Sequence, residues 1–217
     1  MQPATILFDL DGTLTDPGLG ITNAIAYALA EAGMPVPPRE ALYRFIGPPL
    51  LPEFQAVYGV DEAGARALLA DFRVYFSDRG IWENRVYDGV PEMLAALRDA
   101  GCRLLLATGK PEHFAVQILE RFGLAPYFTA VAGSAEDERN AAKDQVIALA
   151  LSRAGAGPAG AVMVGDRLHD VRGAHAHGIP ALGVLYGYGT RAELEAAGAD
   201  GLAETVADIP RLLLGGA

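Results

Sequence analysis

Two aspartates, Asp9 and Asp11, sit two positions apart where an apolar run ends in Phe8-Asp9-Leu10-Asp11-Gly12-Thr13. If that run is a strand, alternation puts both side chains on one side, and Gly12 lets the backbone turn sharply beside a ligand. Carboxylates so close repel unless a proton or a cation stands between them. An all-oxygen donor set suits magnesium, which accepts carboxylates and keeps some of its waters. Three further segments offer matching chemistry. Ala107-Thr108-Gly109-Lys110 places a hydroxyl and a backbone N–H where they can cradle phosphate oxygens. Lys143, in Asn140-Ala141-Ala142-Lys143-Asp144, supplies an ammonium at the start of a predicted helix. Val164-Gly165-Asp166-Arg167-Leu168-His169-Asp170 ends another apolar run with Asp166, and Asp170 follows one helical turn on, so both can face one cation. Helix capping is the competing role for Asp170.

The elements that must carry these residues read as alternating strand and helix. Five short apolar runs are predicted as buried parallel strands: Thr5 to Leu10, Arg103 to Thr108, Thr129 to Gly133, Ala161 to Asp166 and Ala181 to Tyr186. Between them, Val90, Met93, Leu94 and Leu97 keep helical spacing, and Phe114 to Phe122, Gln145 to Arg153 and Asp170 to Ala176 repeat it. This is the pattern of an α/β fold with a doubly wound, Rossmann-like parallel sheet. In such a sheet ligands bind beyond the carboxyl ends of the strands, where every residue singled out above lies. One stretch breaks the rhythm. Residues 17–85 carry helical patterns at Ile21 to Ala32, Glu40 to Phe45, Leu51 to Tyr58 and Asp61 to Phe76, punctuated by prolines. They are expected to form an all-helical insertion, a cap domain, hinged near Thr15 to Gly18 and Arg85 to Gly89. Residues 1–16 and 86–217 are then the catalytic core.

A formal net charge of -10 over 217 residues argues against nucleic acid or an anionic membrane as partner. Cation usage is lopsided: only Lys110 and Lys143 are lysines among 17 basic residues, which makes each a better candidate for a specific task. The single cysteine, Cys102, cannot form an internal disulfide and sits in an apolar setting that reads as buried and inert. No leader-like or membrane-length apolar segment is visible, so a cytoplasmic location is expected. His169, His175 and His177 do not share a helical face and are not expected to form a metal cluster.

In combination and order, Asp9-Leu10-Asp11-Gly12-Thr13, Thr108, Lys143 and Gly165-Asp166 through Asp170 make the chain resemble a haloacid-dehalogenase-superfamily phosphatase over nearly its full length. Residues 17–85 resemble the helical cap of the phosphoglycolate-phosphatase-like branch, in which Phe45-Ile46-Gly47-Pro48-Pro49-Leu50 and Val184-Leu185-Tyr186-Gly187-Tyr188-Gly189 are familiar segments. The resemblance implies that Asp9 is a nucleophile forming an aspartyl-phosphate and that Asp11 is its general acid and base. It further implies that Mg2+ is held by Asp9, Asp166, the Asp11 carbonyl and, directly or through water, Asp170. Thr108, the Gly109 N–H and Lys143 would bind the phosphoryl oxygens. The second carboxylate distinguishes phosphate chemistry from the family's dehalogenases, and the absence of lysine in 17–85 sets phosphonate cleavage aside. The expected partner is a small phosphorylated metabolite such as phosphoglycolate. Nucleoside monophosphates and pyrophosphate are alternatives, a phosphomutase or a non-catalytic relative is less favoured, and oligomeric state is left open. In the cap, Arg44 beside the Ile46-Gly47-Pro48 loop is the candidate for a second anionic group. Tyr43, Arg73, Tyr75, Trp82, Glu83 and Asn84 are further candidates, most of them better read as cap packing or surface charge. Ser134 to Arg139 is an acidic loop in which relatives often carry a glycine near position 138.

Overall fold

The computed structural model describes residues 3–215. The chain runs β1 (Thr5–Phe8), β2 (Thr15–Asp16), α1 (Gly18–Glu31), α2 (Arg39–Leu42), α3 (Leu50–Tyr58), α4 (Glu62–Tyr75) and β3 (Arg85–Val86). It continues through α5 (Val90–Asp99), β4 (Arg103–Pro111), α6 (Glu112–Arg121), β5 (Ala130–Ser134), α7 (Lys143–Arg153) and β6 (Ala161–Gly165). It ends with α8 (Leu168–His175), β7 (Ala181–Val184), α9 (Arg191–Ala197), β8 (Gly201–Ala203) and α10 (Asp208–Leu214).

Side chains of β1 alternate between two apolar clusters: Ile6 and Phe8 enter one, Leu7 the other. The same division holds in β4 and β6, where Leu104, Leu106, Val162 and Val164 side with Ile6 while Leu105, Ala107 and Met163 side with Leu7. Burial on both faces is why these strands read as continuous apolar runs. Six of the strands form one parallel sheet in the order β5-β4-β1-β6-β7-β8. The chain leaves β1 for β4 on one side and returns for β6 on the other, so strand order reverses at β1 and opens a crevice at its carboxyl end. Phe8 pairs with both Leu106 and Val164. That register brings Asp9 level with Gly165, the last residue of β6, and with Ala107, where the regular pairing of β4 breaks off.

All five predicted strands are present, with changed ends. β4 runs on to Pro111 through a shift in its register with β5 between Ala107 and Pro111, so Thr108, Gly109 and Lys110 lie in an irregular extension of the strand. The edge strand β8 and the helices α9 and α10 carried too little apolar pattern to be predicted. Leu194 is the one buried side chain of α9, and that helix announces itself only by Thr190, whose hydroxyl accepts from the Glu193 N–H at 3.1 Å.

Between β2 and β3 the described residues form helices and turns without a strand. β2 and β3 pair antiparallel, Thr15 with Val86 and Asp16 with Arg85, so the chain enters and leaves the helical stretch side by side. α4 packs against both α1 and α3. It runs straight into a single π turn, Phe76–Gly80, a local widening of the helix. Ile21, Phe54, Phe72 and Phe76 belong to the same apolar cluster as Ile6 and Phe8, so the helical stretch and one face of the sheet share a continuous core. No helix among the described residues is long and apolar enough to cross a membrane.

Candidate active site

β1 delivers Asp9, and β6 delivers Asp166 one residue past its last position. Asp170 lies in the first turn of α8 and Lys143 is the first residue of α7. All four side chains are buried. One carboxylate oxygen from each of Asp9, Asp166 and Asp170 lies within 4.8 Å of the others. Asp166 accepts the Tyr188 N–H at 2.8 Å and the Thr13 hydroxyl at 3.4 Å. Asp170 accepts the Arg167 N–H at 3.0 Å, so it caps α8 and faces the cluster at once. Lys143 donates to the Ala107 carbonyl at 3.1 Å and reaches Asp9 Oδ1 at 2.9 Å and Asp170 Oδ1 at 2.8 Å. The glycines around Asp166 are a matter of space: a Cβ on Gly12 (φ +84) would come 2.2 Å from its Oδ2, and one on Gly187 would come 2.4 Å from its Cβ.

The electrostatics of this cluster favour a further positive charge beside it. Burial raises the Asp166 pKa well above the usual carboxylate value, and the nearby Asp170 and Asp9 raise it further. Burial also pushes Asp170 up to about 6, with Lys143 opposing and Asp9 adding to the rise. Burial disfavours the ammonium of Lys143, yet Asp170 and Asp9 outweigh it and its pKa is raised. One ammonium therefore faces three buried carboxylates. Oδ1 of Asp9 and of Asp170, although within ion-pairing range of Lys143, accept no hydrogen bond in good geometry. Oxygen donors with surplus negative charge fit a hard divalent cation, and magnesium is the ordinary choice for such a set.

The Asp11 carboxylate does not join the cluster. It turns to Lys110, with which it forms a buried ion pair, and its Oδ1 is buried without a hydrogen-bond partner. Burial raises the Asp11 pKa, Lys110 opposes the rise and Asp9 adds to it. The Lys110 ammonium also lies 4.8 Å above the Phe76 ring. Sequence reasoning gave Lys110 no role, although the scarcity of lysine singled it out together with Lys143. Thr108 is buried, and its hydroxyl accepts the Lys110 N–H at 3.3 Å.

Asp9, Asp11, Thr108, Gly109 and Lys110 line a cavity of about 60 Å³. The helical stretch closes it with Phe45, Gly47, Phe72, Arg73 and Phe76. Gly47 is part of that wall. Arg44 is not: its side chain is 56% exposed, lies 3.4 Å from Glu53, and is absent from the cavity wall. The 3-10 turn Tyr43–Phe45 sends Phe45 inward and leaves Arg44 outside, a direction that sequence spacing could not supply. Tyr43, Tyr75, Trp82, Glu83 and Asn84 also lie outside the wall, whereas Arg73 is part of it. His175 pairs with Asp200 and His177 with the Asp144 carbonyl, and no histidine joins the carboxylate cluster among the described residues.

A parallel sheet with acidic groups gathered at its switch point defines a Rossmann-like α/β protein with its candidate site at the strand ends. The chain belongs to the haloacid-dehalogenase-like hydrolases, whose family model matches residues 3–178. It is 44% identical over 191 residues to a 5'-nucleotidase of Pseudomonas aeruginosa, covering 88% of this chain and 86% of that one. It is 34% identical over 218 residues to a phosphoglycolate phosphatase of Caulobacter vibrioides, covering 97% and 91%. The tyrosine-protein kinase PtkA of Mycobacterium tuberculosis is 42% identical over 188 residues, 87% of this chain but only 64% of that longer protein. A solved structure described as a predicted phosphatase from Clostridium acetobutylicum superposes with a TM-score of 0.96 at 40% identity, covering 99% and 100%.

Proposed function

We propose that the chain is a magnesium-dependent phosphatase that hydrolyses a small phosphomonoester of the phosphoglycolate type through an aspartyl-phosphate on Asp9. The observation that carries this reading is the convergence of Asp9, Asp166 and Asp170 to within 4.8 Å at the switch point, with Asp11 lining the same cavity as Asp9. Asp9 and Asp166, the Asp11 backbone carbonyl and Asp170 would hold the ion. When bound, Mg2+ neutralises phosphoryl oxygens and cancels repulsion within the carboxylate cluster. An Asp9 oxygen attacks phosphorus as the bond to the leaving oxygen breaks, and protonated Asp11 gives that oxygen its proton. The raised pKa of Asp11 favours the protonated form this step needs. Water then attacks the phosphorus of the acyl-phosphate while Asp11 takes its proton, releasing phosphate and restoring Asp9. Thr108, the Gly109 N–H and Lys143 position the phosphoryl oxygens, the division of labour that phosphoryl transfer requires. Residues 17–85 act as a cap that excludes water when closed.

The cavity of about 60 Å³ favours a small leaving group. The 44% identity to a protein named 5'-nucleotidase supports a second reading, a nucleoside monophosphate admitted by opening the cap. Release of phosphate from phosphoglycolate, AMP and p-nitrophenyl phosphate, with magnesium and with EDTA, tests both. Magnesium-dependent release that is most efficient with phosphoglycolate is expected. A higher kcat/KM for AMP would move the assignment to nucleotides, and release indifferent to EDTA would contradict the metal.

A further inference from the structure

Arg73, in the last turn of α4, lines the cavity and has its side chain mostly spent on nothing ionic. One terminal nitrogen donates to the Glu136 carbonyl at 3.2 Å, and the guanidinium sits 5.5 Å over the Phe114 ring. Its Nε is buried and has no hydrogen-bond partner. No carboxylate lies within ion-pairing distance of it among the described residues, and the neighbouring Glu138 carboxylate is occupied with the N–H groups of Leu50 and Leu51, both at 3.0 Å. Burial lowers the Arg73 pKa, with Glu138 and Glu136 opposing. A buried donor left unsatisfied is costly, so the Arg73 Nε calls for a partner that the protein's own groups do not supply.

The other cations at the site already pair with carboxylates, Lys110 with Asp11 and Lys143 with Asp9 and Asp170. Arg73 has no ion-pair partner among the described residues, and it stands in a wall that also holds Phe45, Phe72, Phe76, Phe114 and the engaged Glu138. We infer that Arg73 is the specificity-determining residue of this site and receives a carboxylate carried by the leaving group of the substrate. This rests on the phosphatase reading and narrows it to short phosphomonoesters of hydroxy acids. An arginine fork matches carboxylate geometry, and the small cavity limits the carbon chain to a few atoms.

The test compares kcat/KM for phosphoglycolate with that for ethyl phosphate, a comparator of similar size without the carboxylate. Both are measured on the same full-length sample of wild type, Arg73→Met and Arg73→Lys, so the ratio does not depend on the folded fraction. Wild type should prefer phosphoglycolate, Arg73→Met should lower the ratio by about 10- to 100-fold, and Arg73→Lys should recover part of it. A ratio unchanged in Arg73→Met, or a wild type that turns over both esters equally, would overturn the role of Arg73 and leave the phosphatase standing. A wild type that hydrolyses neither ester in magnesium would overturn the phosphoglycolate-type reading and this inference with it.

Discussion

In the proposed reaction, the chemistry of the leaving group rests on the buried ion pair of Lys110 and Asp11. Their side chains are 6% and 9% exposed, so the pair is shielded from solvent screening. Removing one member of a buried pair strands the other, at a typical cost of roughly 3 kcal/mol. Lys110→Met should therefore lower the unfolding free energy by about that amount and reduce kcat at least tenfold, read by denaturant titration and steady-state kinetics. A variant with wild-type stability and kcat would show that Asp11 does not need its partner. At this scale most of the site was legible in the sequence. Asp9, Asp11, Thr108 and Asp166 are polar residues stranded at or just past the ends of apolar runs, and Lys143 and Asp170 lie in the first turns of the helices that follow. Arg44 and Arg73 were not separable, because which side of a short helix faces a cavity is decided by tertiary packing.

Two loops show how elements hold the site. The segment after β7 folds back over Asp166: the Tyr188 N–H donates to its carboxylate, and a Cβ on Gly189 would come 1.8 Å from the Asp166 backbone oxygen. Gly189→Ala should displace Asp166 and weaken Mg2+ binding at least tenfold by calorimetry, and unchanged affinity would mean that the loop does not position the carboxylate. The second loop precedes α7. Glu138 adopts a left-handed conformation (φ 61), which costs a non-glycine residue about 1 kcal/mol. From there its carboxylate accepts the N–H groups of Leu50 and Leu51 at the start of α3, both at 3.0 Å. These charge-assisted bonds at a helix N-terminus outweigh the backbone strain. Glu138→Gly relieves that strain but releases α3, so the amides of Leu50 and Leu51 should exchange with solvent faster while those of α5 keep their protection. Unchanged protection at Leu50 and Leu51 would contradict the clasp. The five predicted strands and most helices were readable because continuous apolar runs and helical spacing are strong signals. β2, β3 and β8 are two or three residues long, and their pairing comes from the chain around them.

Across the whole molecule, three buried carboxylates are held close in a protein that already carries a formal charge of -10. Asp166 titrates well above its ordinary range and Asp170 near 6, both raised first by burial. A folded pKa above the unfolded one means that the folded state binds more protons in between. The stability this gives is complete below the unfolded value near 4 and is lost as pH rises through the folded value. Metal-free protein should accordingly melt lower at pH 8 than at pH 5, and Mg2+ should raise Tm more at pH 8. An equal or larger rise at pH 5 would mean that the ion does not relieve this repulsion.

The most direct test of the proposed reaction is rapid acid quench during turnover of a 32P-labelled phosphomonoester in magnesium. The label should appear on the wild-type protein, be released by hydroxylamine as an acyl-phosphate is, and be lost together with turnover in Asp9→Asn. Turnover undiminished in Asp9→Asn, or label persisting on that variant, would contradict Asp9 as the nucleophile.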